Sequence, residues 1–384
     1  MTIRTATAAA LALLMTAGLA SAQDKGVTDT EIVVGGTMPF AGPAGLLGYA
    51  SVLGHKLSAA AINEQGGING RKVRVALEDD KYVPAQSVQG LQKLIDTENI
   101  FAFIPLAGGS HMFAMLPIID EQGIPTLNAA VTTEGHYVPP HPTVFGIGMT
   151  YQEGAYELVS FMSKKHPGAK WAIIVQDDES GIPREVGYTK ALKEAGLTSV
   201  SMQRFKRGQV DFSSELQRVK ASGATALLLG GLPADNATMI KEAKKLGLDI
   251  PMGTLWIEHI PPMIDLAGPA GDGLYVYDFV PSLTDPSLAP FMALAQKHLT
   301  KEELARINRY TLLTFISYRM LADAAQSCGK NLTRKCVVAY WEKLNNYNTG
   351  LMPPISFPNG ERLSRVSGNV LKIDYAAKKF VPAQ

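Results

Sequence analysis

Three short stretches of this chain hold residue types that can do chemistry. Leu106-Ala107-Gly108-Gly109-Ser110-His111 sets a hydroxyl and an imidazole beside paired glycines, and Asn128-Ala129-Ala130-Val131-Thr132-Thr133 carries an amide and two more hydroxyls. Met38 to Gly48 is rich in glycine and includes the apolar Phe40, Leu46 and Leu47. Gly108 to His111 looks like part of a nucleophile elbow, but Met112 stands where G-x-S-x-G requires glycine, which argues against a hydrolase. The loop GGTMPFAG lacks the G-x-G-x-x-G arrangement, and no G-x-x-x-x-G-K-[ST] phosphate loop occurs, so no nucleotide cofactor is implied. His136 and His141 fall in HYVPPHP without a cysteine or acidic ligand cluster, which reads as a solvated loop rather than a metal site. Binding is what remains. Backbone N–H groups around Gly109, with the Ser110 hydroxyl, offer a carboxylate the donors and dipole of a helix end. The alternative is that Ser110 caps its own helix. Phe40, Leu46 and Leu47 can form an apolar wall; the alternative there is a plain glycine turn.

All three stretches follow predicted strands. Glu31 to Gly36 is a short strand, Ala59, Ala60 and Ile62 belong to a helix that stops at Gly66 and Gly67, and Lys72 to Leu77 is the next strand. The alternation continues with helix 84–95, strand 100–104, helix 111–121 and strand 124–127. A second series runs through helix 153–163, strand 171–175, helix 183–195, strand 200–205, helix 212–221, strand 226–229, helix 233–246 and strand 274–280. The fold class is α/β, with two doubly wound parallel-sheet lobes. In such sheets ligands bind at the carboxyl ends of strands, where these loops lie.

Composition narrows the setting. Arg4, an apolar run from Ala8 to Leu19 and Ala20-Ser21-Ala22 read as a secretory signal peptide over 1–22, the run being too short for a membrane span. Lys+Arg total 36 against 35 Asp+Glu, so nothing favours a nucleic acid or an anionic membrane as partner. Cys328 and Cys336 lack C-x-x-C spacing and have no nearby histidine; in an exported protein they read as a local disulfide contributing about 2–3 kcal/mol.

The phrases TDTEIVVG, PFAGP, NEQGGINGRK and the strand end EDD together resemble the periplasmic solute-binding proteins of ABC importers, of the leucine/isoleucine/valine-binding type. The resemblance continues almost to the C-terminus. It implies a type I periplasmic binding fold with three hinge crossings, expected near Gly148, Val280 and Pro353-Pro354. Lobe I would then hold 23–148 and 281–350, and lobe II 149–280 and 351–384. It further implies that the Ala130 backbone and the Thr132 hydroxyl hold the ligand's α-amino and α-carboxylate groups, beside Gly109 and Ser110.

In lobe II the sequence departs from amino-acid binders. Their acidic partner for the ligand ammonium aligns with Leu255, and two of their aromatic positions align with Leu47 and Ser180. An ammonium buried without a carboxylate is costly, which weighs against a zwitterionic ligand. Trp256 and Tyr277 could present aromatic faces to the ligand body. The alternative places Trp256 in the lobe core and lets Glu258 or Glu179 supply the missing charge. The expected function is an extracytoplasmic, monomeric solute-binding protein, not an enzyme, that delivers a small carboxylate ligand to permease subunits in the inner membrane. A periplasmic ligand-sensing receptor domain is the alternative, and a periplasmic hydrolase a more distant one.

Overall fold

The computed structural model describes residues 24–383 apart from 43, 129, 131 and 132, so the expected signal peptide and Thr132 lie outside the described residues. The first half alternates β1 (Glu31–Met38), α1 (Gly45–Glu64), β2 (Lys72–Asp79), α2 (Pro84–Asp96), β3 (Ala102–Phe103), α3 (Gly109–Gln122), β4 (Thr126–Asn128) and β5 (Val144–Ile147). The second series is α4 (Tyr151–Lys165), β6 (Trp171–Gln176), α5 (Gly181–Glu194), β7 (Ser199–Phe205), α6 (Ser213–Ala221), β8 (Ala226–Gly230), α7 (Pro233–Lys245), β9 (Met252–Leu255), α8 (Pro261–Ala267) and β10 (Tyr275–Asp278). After it come α9 (Ala289–His298), α10 (Lys301–Leu304), α11 (Arg309–Cys328), α12 (Arg334–Trp341), β11 (Leu363–Ser364), β12 (Asn369–Asp374) and β13 (Lys379–Pro382). Cys328 and Cys336 form a disulfide that ties the end of α11 to α12.

Two sheets result, as the sequence predicts. The first has the order β11-β5-β4-β3-β1-β2 and the second β13-β12-β10-β9-β8-β6-β7. All pairings are parallel except β10 with β12 and β12 with β13. Strand interiors such as Ile173, Ile174, Leu228 and Leu229 are fully buried, as expected where helices cover both faces. We call the units built on these sheets lobe I and lobe II; α11 packs on α1 and belongs to lobe I.

Two expectations are corrected. The first loop ends at Gly45 rather than Gly48, because α1 begins there and Gly48 lies inside its first turn. A Cβ at Gly48 would sit 1.8 Å from the Pro39 carbonyl oxygen, so glycine here serves close packing of a helix rather than a loop. The last crossing falls after Ser364 and not at Pro353-Pro354: β11 pairs with β5 in lobe I before β12 joins lobe II. The proline pair is a turn on lobe I, where Ile355 is fully buried and Phe357 packs edge-on against Phe145. Residues 351–364 therefore leave lobe II.

The lobes are joined by a buried ion pair as well as by chain. Arg309 of α11 donates through Nε and Nη2 to both Asp278 carboxylate oxygens of β10, at 2.8 and 2.9 Å. His259 lies 2.6 Å from the same carboxylate. Burial alone would push the Asp278 carboxyl up, but Arg309 and His259 hold it below its ordinary value. Asp278→Asn would strand the buried guanidinium, so we expect a loss of about 3–5 kcal/mol in urea denaturation at neutral pH. A depressed carboxyl stabilises the fold above roughly pH 4 and loses that effect as pH falls through its folded value. The gap between wild type and variant should therefore narrow in acid; a pH-independent gap would show that charge is not its source.

Candidate functional site

Loops at the carboxyl ends of strands in both lobes meet across one small, partly open cavity. From lobe I the β1–α1 segment brings Pro39, Ala44 and Leu47, the residues after β3 bring Leu106, Gly108 and Gly109, and the loop after β4 brings Ala130. Asn128 braces the last two loops: it bonds the Ala107 N–H and carbonyl as well as those of Ala130. Lobe II contributes Glu179 and Ser180 before α5, Leu232 before α7 and Ile257 after β9. Three tyrosines complete the wall: Tyr82 after β2, Tyr151 opening α4 and Tyr310 opening α11. The free space is about 40 Å³, against about 300–1,000 Å³ for ordinary small-molecule sites. A ligand must therefore enter with movement of side chains or of the lobes.

The lobes touch through charge. Helix α3 begins at Gly109 with Gly108 as its cap, so Ser110 does not cap its own helix. Instead the Ser110 N–H donates across the cleft to Glu179 Oε1 at 3.1 Å. Arg207 donates to the same oxygen at 3.1 Å and to Asp178 at 2.7 Å, and its guanidinium lies 4.9 Å above the Tyr82 ring of lobe I. Burial works against the Glu179 charge, but its contacts with Ser110 outweigh it and hold the carboxyl below its ordinary value. On the far side Tyr82 stacks on His111 at 4.7 Å. The Ser110 hydroxyl and both His111 ring nitrogens are buried without a hydrogen-bond partner, so the two side chains form no nucleophile–base pair.

Lobe II carries a second layer behind the wall. Arg184 is fully buried with its guanidinium 4.2 Å above the Tyr151 ring, and the other neighbour of that ring is Trp256, stacked at 5.3 Å. Glu258 is fully buried and accepts from Asn236 at 2.7 Å and Thr254 at 2.9 Å. Its carboxyl is pushed up to about 8 by burial, against the pull of Arg184.

Leu47, Gly109, Ala130 and Ser180 come together in the cavity wall, with Ser110 beside them through its backbone. Among the described residues, the other expected site residues do not join them. Phe40 is 37 % exposed, its N–H bonded to Asp79 outside the wall. Trp256 is core behind Tyr151, the alternative reading of it. Tyr277 lies at the crossing, where its hydroxyl accepts the Gly368 N–H at 2.8 Å beside a separate open groove. Leu255 is fully buried. His136 is also buried, bonded to the Gly109 carbonyl, while His141 pairs with Asp120, so HYVPPHP is not simply a solvated loop. The sequence reading missed all three tyrosines. Tyr82 and Tyr151 follow strand ends, and applying the strand-end rule to every loop would have found them; Tyr310 follows no strand and gives no such signal.

Known proteins fit this geometry. The sequence matches the periplasmic binding protein family over residues 31–370. It is 25% identical over 331 residues to an amino acid binding protein of Pseudomonas aeruginosa, covering 83% of this chain and 84% of that one. In fold it is similar to a fatty acid ABC transporter substrate-binding protein from Thermomonospora curvata, with TM-score 0.83, 19% identity and coverage of 94% and 93%. A solute binding protein of an ABC transporter from Rhodopseudomonas palustris HaA2, in complex with p-hydroxybenzoic acid, gives TM-score 0.80 at 20% identity, covering 93% and 96%. The chain belongs to the periplasmic binding protein family, of the leucine/isoleucine/valine-binding type, and is a substrate-binding protein rather than an enzyme.

Proposed function

We propose that this protein captures a small organic acid in the periplasm and presents it to the permease of an ABC importer. The observation that carries the reading is the cavity itself, walled by strand-end loops of both lobes, so that a ligand there would be held only when the lobes come together. The polar ends of the wall are the start of α3 with Gly109 and Ser110, the Ala130 loop, and Ser180 opposite; three tyrosines and Leu47, Leu232 and Ile257 supply an apolar and aromatic body. Thr132 joins the polar set by resemblance alone.

An ammonium group finds little support. By resemblance Leu255, fully buried here, takes the place of the acid of amino-acid binders, and Glu258 is locked to Asn236 and Thr254. Glu179 does reach the wall, but its charge is already matched by Arg207 and the Ser110 N–H. Acids without an α-amino group are therefore the favoured ligands. In a thermal-shift comparison, 4-methylpentanoate and 3-phenylpropanoate should stabilise the protein where leucine and phenylalanine do not. A probe at about 100 times its dissociation constant adds about 2.7 kcal/mol, or roughly 2–4 °C. A shift with leucine and none with 4-methylpentanoate would reverse the assignment and make Glu179 the ammonium partner.

Closure gives an independent check. A Cβ at Gly109 would lie 2.3 Å from Glu179 Cγ and 3.3 Å from the Glu179 carbonyl oxygen, contacts made only across the cleft. Gly109→Ala should leave each lobe folded yet hinder their approach. Overpacking of about 1–3 kcal/mol corresponds to roughly ten- to hundredfold weaker binding of the acid. Small-angle scattering should show a larger radius of gyration for the variant with unchanged circular dichroism; equal radii and equal affinities would mean that this contact plays no part in closure.

A further inference from the structure

The wall of lobe II covers an unpaired cation. Arg184 lies on α5 one helical turn beyond Ser180, on the same face of the helix. Its Nη1 donates to the Gly231 carbonyl at 3.0 Å, whereas Nε and Nη2 have no hydrogen-bond partner although both are buried. Each neighbouring element also reaches the cavity: Tyr151 lies under the guanidinium, Gly231 adjoins Leu232, and Glu258 adjoins Ile257. The acids around it are otherwise engaged. Glu258 is held by Asn236 and Thr254 and is mostly protonated at neutral pH, and Asp235 accepts the Leu232 N–H. A guanidinium does not shed its proton, so a buried one without a counter-ion is costly unless an anion completes the arrangement. In lobe I the Ser110 N–H at the start of α3 is already taken by Glu179 and the buried Ser110 hydroxyl is unpartnered, but that hydroxyl is neutral, so Arg184 is the buried cation whose donors stand open beside the cavity.

We propose that Arg184 is the lobe II group that receives the acidic end of the ligand, Nε and Nη2 together holding one carboxylate. Arg184 then sets the preference of the protein for acids over their neutral analogues. The proposal rests on the cavity being the ligand site. Reaching the guanidinium requires the Tyr151 ring to move, and that ring stacks on Trp256, so binding through Arg184 also alters the surroundings of this tryptophan.

The test uses the mature protein and its Arg184→Met and Arg184→Lys variants, with 4-methylpentanoate, 3-phenylpropanoate and their primary amides as probes. Calorimetry should show the wild type preferring acid to amide by at least about a hundredfold, as expected for paired charge-assisted bonds. Arg184→Met should bring that ratio near one, and Arg184→Lys should fall between. Without a probe, Arg184→Met should melt at or above the wild-type temperature, since it removes an unpaired buried charge. Tryptophan fluorescence should respond to the acids in the wild type only. Unchanged acid binding in Arg184→Met overturns the proposal and leaves the importer reading intact. So does a large drop in melting temperature in both variants, which would make the guanidinium a structural member. If neither acid binds the wild type, the ligand reading itself fails and the proposal fails with it.

Discussion

The Asp278 carboxylate is the fixed point between the lobes. It accepts both guanidinium donors of Arg309, stands against His259, and takes the N–H groups of Phe279 and Val280 just where the chain leaves β10. A buried ion that satisfies this many donors tolerates little displacement, because each lost bond leaves a charge or a dipole unpaired in a low-dielectric interior. Arg309 in turn precedes Tyr310 on α11, so the anchor also fixes where a lobe I tyrosine enters the cavity wall. Any movement of the lobes has to turn about this point, and the more exposed contacts, Glu179 on Ser110 and Arg207 over Tyr82, are the ones that can form and break.

The difference between the two sets of contacts is one of exposure. The Arg309 and Asp278 side chains are almost wholly buried, whereas Arg207 and Glu179 remain about one-third exposed. Solvent screens the outer pair and supplies alternative partners when it separates, so its net contribution is small. The geometry therefore places a strong, unyielding interaction at the crossing and weak, replaceable ones at the mouth. A ligand of modest affinity can tip such an arrangement between open and closed.

Much of this was legible in the sequence, and the reasons for the rest are physical. The βα alternation, the two lobes and the strand-end loops follow from hydrophobic period and glycine placement, and they brought Leu47, Gly109, Ala130 and Ser180 to one cavity. Glycine was misread at Gly48, which was placed in the loop after the first strand but lies inside α1, where it permits close packing of that helix on Pro39. The last crossing was misplaced because β11 is two residues long, too short to show any period, while Pro353-Pro354 looks like a linker. Tyr277 and Trp256 were drawn into the site by aromatic character alone. Both face inward along β10 and after β9, and whether an inward ring meets a ligand or a neighbour depends on packing that one sequence does not encode.

Side chains at the wall explain how one fold can serve many ligands. The loops that approach from both lobes are positioned by backbone, by Asn128 bracing two of them and by Asn236 bonding the Gly231 N–H in a third. None of these supports depends on what Leu47, Ser180, Leu232 or Ile257 presents to the cavity. With leucine and serine at two of these positions, the aromatic bulk of the wall comes from Tyr82, Tyr151 and Tyr310, which stand on other elements. Charge is less free to move than bulk: a buried guanidinium such as Arg184 requires an anion wherever it is introduced, so the chemistry of the ligand is constrained more tightly by one buried cation than by the shape of the surrounding apolar wall.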